Sequence, residues 1–252
     1  MSVLVTREGP VCIVTLNRPE ARNAVDPPTA RALYSAMLDF EADDRAQVAI
    51  LTGAGAGSDW ISSLSIPEDW TDPMDDPIPG PMGPSRLMLR KPVIAAIEGP
   101  AVAGGMELAL WCDLRVMAKP AVMGVYCRRW GVPLIDGGTV RLPRLVGQGR
   151  ANDLILTGRP VTSGEAAQIG LADRVCARGQ ALEEALDLAQ SLTAFPQACL
   201  RADHLSARMS PEHLAEGLRR EWASATVLEA EGIAGATRFA EGRGRGGDFS
   251  DI

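Results

Sequence analysis

Two acidic residues stand out because of what surrounds them. Glu107 lies in Lys91–Asp113 (KPVIAAIEGPAVAGGMELALWCD), where an apolar run feeds Gly99, Gly104 and Gly105 and then a helix that begins near Gly104. Glycine lets backbone approach a ligand closely. The N–H groups at a helix start favour a developing negative charge. An acid in that first turn has two readings, as a partner for the helix dipole or as a carboxylate that moves a proton beside the charge. Asp136, in Ile135-Asp136-Gly137-Gly138-Thr139, also has two. It is a turn or N-cap aspartate before two glycines, or the second member of a proton-transferring pair. If both acids line one pocket, a proton shuttle between two substrate carbons is feasible, with burial raising one carboxyl toward working pH.

Other chemistries have less support. Gly53-Ala54-Gly55-Ala56-Gly57 follows the apolar run VAILT, as a dinucleotide-binding turn would. However, Ser58 stands where glycine or alanine is expected, and Pro67 arrives before a long helix can form. A flexible turn leaving a strand is the simpler reading, and a dinucleotide-dependent oxidoreductase ranks last. Only His204 and His213 are present, too few for a histidine-rich metal site. No G-x-S-x-G elbow occurs, so serine hydrolysis is disfavoured. Cys12, Cys112, Cys127, Cys176 and Cys199 are odd in number and lack CxxC spacing, which predicts reduced thiols in a cytoplasmic protein. No metal or redox cofactor is expected.

The bulk numbers narrow the partners. A net charge of −7 disfavours nucleic acid and anionic membrane surfaces. The tail Gly242–Gly247 (GRGRGG) reads as a flexible end rather than a nucleic-acid segment. Met1–Gly9 has no apolar signal-peptide region. The longest apolar stretch, Pro92–Met117, is broken by Glu98, Glu107 and Asp113, short of the ~18 residues of a membrane span.

Several elements must position the two acids. Val11–Leu16, Val48–Thr52, Val93–Ile97 and Asp113–Met117 read as buried strands. Pro28–Phe40 carries Leu33, Met37 and Phe40 at helical spacing. Ala151–Leu156, Ala181–Leu192 and Pro211–Leu228 also read as helices. From Gly137 onward strand signals fade. Pro67–Pro84, with six prolines, reads as a long surface loop. Continuous apolar strands separated by helices predict an α/β fold with its sheet covered on both faces. Aromatics make up only 4% of the chain, so the core must be aliphatic.

Lys91–Val116 resembles the central signature of the crotonase superfamily, the enoyl-CoA hydratase and isomerase family. Ordered matches flank it: VTLNRPEARNAV, LTGAG, WGVPLIDGGTVRLPRLVG and LILTGRPVTSGEAAQIGLADRV. Together they span roughly Val11–Val175. The resemblance implies a crotonase-like spiral of ββα units over residues 1–190. A helical C-terminal region over residues 191–252 would make subunit contacts in a homotrimer or hexamer. It also implies an acyl-CoA substrate, with CoA part of the substrate and no separate cofactor.

By the same resemblance, two backbone N–H groups stabilise an enolate-like oxyanion, and losing one such donor typically costs ~3–4 kcal/mol. They fall on Ser62 and Gly104. The loop Trp60–Ser65 departs from the family pattern, with Ser63 in place of its glycine and Ser65 in place of its aspartate. Ser63 is a substrate-binding candidate. Hydratases of the family use two glutamates. Glu107 matches the first, whereas the second falls on Cys127, which is either a small buried filler or a reactive thiol. Asp136 matches an aspartate that acts in proton transfer in the dienoyl-CoA isomerase branch. Backbone around Ala21–Ala24 would hold the adenine end, making Ala24 a binding candidate. Arg22 is either solvated or meets a CoA phosphate. The expected function is an enoyl-CoA hydratase/isomerase-like enzyme. The alternative is a catalytically impaired CoA-thioester-binding protein of the same fold.

Overall fold

The computed structural model describes residues 1–55, 80–208, 218–219, 222–223 and 232–243. Val3–Glu8 (β1) and Val11–Leu16 (β2) form an antiparallel hairpin. Val48–Gly53 (β3), Val93–Ile97 (β4), Leu114–Ala118 (β6) and Arg174–Cys176 (β9) extend it in parallel, giving the order β1-β2-β3-β4-β6-β9. A second sheet, in the order β5-β7-β8, is built from Ala101–Val102 (β5), Val122–Gly124 (β7) and Val161–Thr162 (β8). The chain therefore steps from the large sheet to the small one and then into a helix. β4 and β5 lead to α2 (Gly104–Trp111), and β6 and β7 lead to α3 (Gly138–Val146). This is the expected spiral of ββα units.

The strands are apolar throughout because both faces of the sheet are covered. Val14, Leu16, Leu51, Ala95 and Ile97 point into the larger core with α1 (Pro27–Ala42) and α2. The alternate residues Ile13, Ile50, Ile94 and Val116 meet α6 (Ala181–Thr193) through Ala181, Ala185 and Ala189, four residues apart on one helix face. Every residue of α2 is buried, so this short helix runs through the interior and carries Glu107 with it. Asp26 caps α1 by accepting from the Thr29 N–H at 3.0 Å.

Several sequence expectations shift. The fourth predicted strand starts at Leu114 rather than Asp113, whose carboxylate instead accepts from the Val93 N–H at 2.8 Å. Strands do continue past Gly137, as β8 and β9. They are two and three residues long, too short to show a period. The predicted helix Pro211–Leu228 and most of the loop Pro67–Pro84 lie outside the described residues. Two further helices belong to the C-terminal region, α7 (Gln197–Ala207) and Ile233–Ala240. The latter sits against the core: Phe239 meets Trp130 edge to face at 5.1 Å. A side chain at Gly235 would stand 1.9 Å from the Trp130 carbonyl oxygen. Among the described residues, no helix is long and apolar enough to cross a membrane.

Candidate active site

The start of α2 is set by an unusual backbone. Ala103, just before it, has φ 54° and ψ −127°, a region that non-glycine residues rarely occupy. Such a conformation costs of order 1–3 kcal/mol and persists only where its surroundings fix it. Here the β5–β7 pairing does so, extended by an Ala103 N–H bond to the Gly124 carbonyl at 2.9 Å. Gly104 opens the helix, so its N–H is one of those that the i to i−4 ladder does not use. Glu107 follows within the first turn, only 3% exposed.

The Glu107 carboxyl group is held from the next unit. Its Oε1 accepts from the Asp136 N–H at 3.0 Å and the Gly138 N–H at 2.9 Å. The Gly138 amide opens α3 and Asp136 lies just before its N-cap, so the carboxylate of one helix sits at the positive end of another. Two glycines make this possible. Gly137 caps α3 with φ 95°, and a Cβ there would strike Arg141 Nη1 at 2.0 Å. A Cβ on Gly138 would lie 2.9 Å from Glu107 Oε1.

Asp136 is 2% exposed and is not the N-cap that the sequence allowed. Its Oδ1 accepts from the Met82 N–H at 3.0 Å and from the Ser85 hydroxyl. Arg141 ties the two segments together, donating to the Asp136 carbonyl at 2.8 Å and the Ser85 carbonyl at 2.7 Å. Burial pushes the Asp136 carboxyl above its ordinary range, against the opposing pull of the Ser85 and Met82 donors and of Arg86 and Arg141. The sign for stability follows. With its folded value raised, Asp136 contributes most below the ordinary aspartate range, and that contribution is lost as pH climbs through the raised value. Asp136→Asn cannot ionise and should remove this fall. Melting curves from about pH 4 to about pH 8 should show the variant gaining on the parent as pH rises. A melting-temperature difference that does not change with pH would count against a raised Asp136.

Cys127 lies in the 3-10 helix Tyr126–Trp130 and is buried. Burial, with the Glu107 charge adding to it, pushes its thiol up to about 12. It is a neutral side chain at working pH, which favours the filler reading over the reactive thiol. Arg128 and Arg129 point to other partners, the Ile155 carbonyl at 3.1 Å and the Gly158 carbonyl at 2.6 Å.

The remaining candidates are not joined to this pair. Arg22 and Ala24 belong to a turn after β2, the 3-10 segment Pro19–Ala21 and its exit, where Arg22 is exposed in a left-handed conformation at φ 52°. Asn23, which the sequence reading passed over, pins this turn. Its side chain accepts from the Arg18 N–H at 2.8 Å and donates to the Ala54 carbonyl at 2.9 Å, beyond β3. The turn thus sits at the carboxyl end of the parallel strands, the end from which the path to α2 also leaves. Ser62 and Ser63 lie outside the described residues. Ser85 and Arg141 were missed as well, because their link to Asp136 spans a sequence separation that no local pattern reports. Among the described residues, no group of three or more His, Cys, Asp or Glu side chains could hold a metal ion.

Residues 85–245 match the family model described as enoyl-CoA hydratase/isomerase. The enoyl-CoA hydratase EchA19 of Mycobacterium tuberculosis is 37% identical, over 95% of this chain and 94% of its own length. A carnitinyl-CoA dehydratase of Salmonella typhi is 37% identical over 76% of this chain and 74% of its own. Among solved structures, a carnitinyl-CoA dehydratase from Mycobacterium avium superposes with a TM-score of 0.85 at 28% identity, covering 94% of this chain and 96% of its own. An enoyl-CoA hydratase from Mycobacterium tuberculosis does so with a TM-score of 0.77 at 32% identity, covering 92% and 100%.

Proposed function

The chain belongs to the enoyl-CoA hydratase/isomerase family, and on that premise we propose that it hydrates or isomerises an acyl-CoA thioester through an enolate. The observation that carries this reading is the joining of Glu107 to the start of α3, beside the buried Asp136. The two acids then have different roles. Glu107 matches the first glutamate of the family's hydratases, and the two N–H bonds to its Oε1 hold it in place to take a proton. Asp136 is held toward its protonated form by burial and suits the giving of one.

In hydration, Glu107 would take a proton from water as the hydroxyl adds to the β-carbon, Asp136 would protonate the α-carbon of the enolate, and the proton on Glu107 would return to Asp136 before the next turnover. In isomerisation, a proton leaves one carbon and another arrives two carbons away in an enoyl ester, or four in a conjugated dienoyl ester, with the double bonds moving between. Both routes put negative charge on the thioester oxygen, where the N–H groups of Ser62 and Gly104 would receive it. Ser63, with the backbone around Arg22 and Ala24, would bind the remainder of the CoA ester. CoA is part of the substrate, and no separate cofactor or metal takes part.

Mass spectrometry of 2-enoyl-, 3-enoyl- and dienoyl-CoA esters incubated with the protein tests this reading. A product heavier by one water identifies a hydratase. A product of unchanged mass but altered retention identifies an isomerase. No change in any ester, with acyl-CoA still bound in calorimetry, supports the second reading, a binding protein that has lost catalysis. Cys127 motivates that alternative, since a neutral thiol stands where the resemblance places a second glutamate. Residues 191–252 would then serve subunit contact in a homotrimer or hexamer; light scattering that finds a stable monomer would exclude this assembly. The unpaired cysteines, four of them buried, fit a reducing cytoplasmic setting.

A further inference from the structure

Ser85 is fully buried, in a loop built around Asp136. Gly80 and Gly83 exchange backbone bonds, both 2.7 Å, and the 3-10 turn Pro84–Arg86 follows. This places the Met82 N–H and the Ser85 hydroxyl on the same carboxyl oxygen. The loop leaves no slack. A Cβ on Gly80 would stand 2.1 Å from Ser85 Oγ and 2.9 Å from Asp136 Oδ1. The Arg141 fork fixes both backbones from the other side. A hydroxyl held this closely, with its donor aimed at a carboxyl group, does more than fill space.

We propose that Ser85 is a positioning residue of the reaction: with the Met82 N–H it occupies Oδ1 of Asp136 as acceptor, so that the proton Asp136 exchanges is carried on Oδ2. A protonated carboxyl group has one carbonyl-like oxygen and one hydroxyl oxygen. Two donors on Oδ1 assign it the first role and fix the ring of positions from which the proton can leave. The Ser85 bond also favours the ionised form, so its loss should raise Asp136 further. This inference rests on the proposed role of Asp136 in proton transfer.

The test is the pH profile of kcat for Ser85→Ala, measured with the ester that the parent converts. The expected result is a limb displaced to higher pH, a kcat lower by ~10-fold and a KM changed less than kcat. In an Asp136→Asn background, Ser85→Ala should produce no further loss, because the group it positions is gone. Ser85→Cys, similar in size but a weak donor, should reproduce the shift if the alanine variant does not fold. An unmoved profile in either variant overturns the proposal, as does a Ser85→Ala loss of the same size in both backgrounds. Full activity in Asp136→Asn alone would instead remove Asp136 from the reaction, and the inference about Ser85 with it.

Discussion

Glu107→Gln should lose ~10²–10⁴-fold in kcat while keeping its fold. The amide oxygen of glutamine can still accept from the Asp136 and Gly138 N–H groups that now reach Oε1. The geometry at the meeting of α2 and α3 is therefore preserved, and only the ability to take a proton is removed. KM should change little, since nothing in the proposed binding of the CoA ester depends on the charge of Glu107. The comparison needs steady-state kinetics beside a melting curve. A variant within ~10-fold of the parent would exclude Glu107 as the base. A variant that loses activity and melting temperature together would point to a structural role for the carboxylate at the start of α3.

Gly138→Ala should cost on the order of 10²-fold through position alone. The added Cβ would lie 2.9 Å from Glu107 Oε1, 3.1 Å from Glu107 Cγ and 3.1 Å from Leu134 Cδ1. The first of these neighbours is too close to remain where it is, the other two must give by a few tenths of an ångström, and Leu134 is itself buried, 5% exposed. Relief therefore comes mainly from the Glu107 carboxyl group moving away from the α3 amides. Even a shift of a few tenths of an ångström loosens the two α3-side hydrogen bonds that orient the carboxylate, and misplacement of a reacting group by up to about 1 Å costs a loss of this size. The chemistry of Glu107 is untouched, so this variant separates placement from acidity. It should lower kcat without changing the products. If turnover stays within a few-fold of the parent, the α3 contact is not what places Glu107.

These two variants probe a site that was only partly legible in the sequence. Gly104, Glu107 and the glycines at 137 and 138 could be singled out because their reasons are local. A buried strand running into a glycine turn and a helix start is a pattern contained in about twenty consecutive residues. The strands β2, β3 and β4 were visible for the same reason. Each is apolar on both faces because α1 and α2 cover one side and α6 the other. The aliphatic core and the net negative charge likewise followed from composition.

Tertiary structure decided what each acid touches. Asp136 followed by two glycines fits an N-cap as well as a proton carrier. Only the folded chain shows that Gly137 takes the cap while the Asp136 side chain turns to Met82 and Ser85. Ser85 follows the proline-rich stretch Pro67–Pro84, and neither it nor Arg141 belongs to a local pattern that would mark it. Their bonds join the loop before β4 to the loop before α3, and a contact of that kind is fixed by the spiral that stacks one ββα unit on the next. Cys127 was ambiguous for the same reason. A thiol becomes reactive or inert according to the solvent and charges around it. Here burial beside Glu107 makes it inert, an outcome that neighbouring residues in the sequence cannot convey.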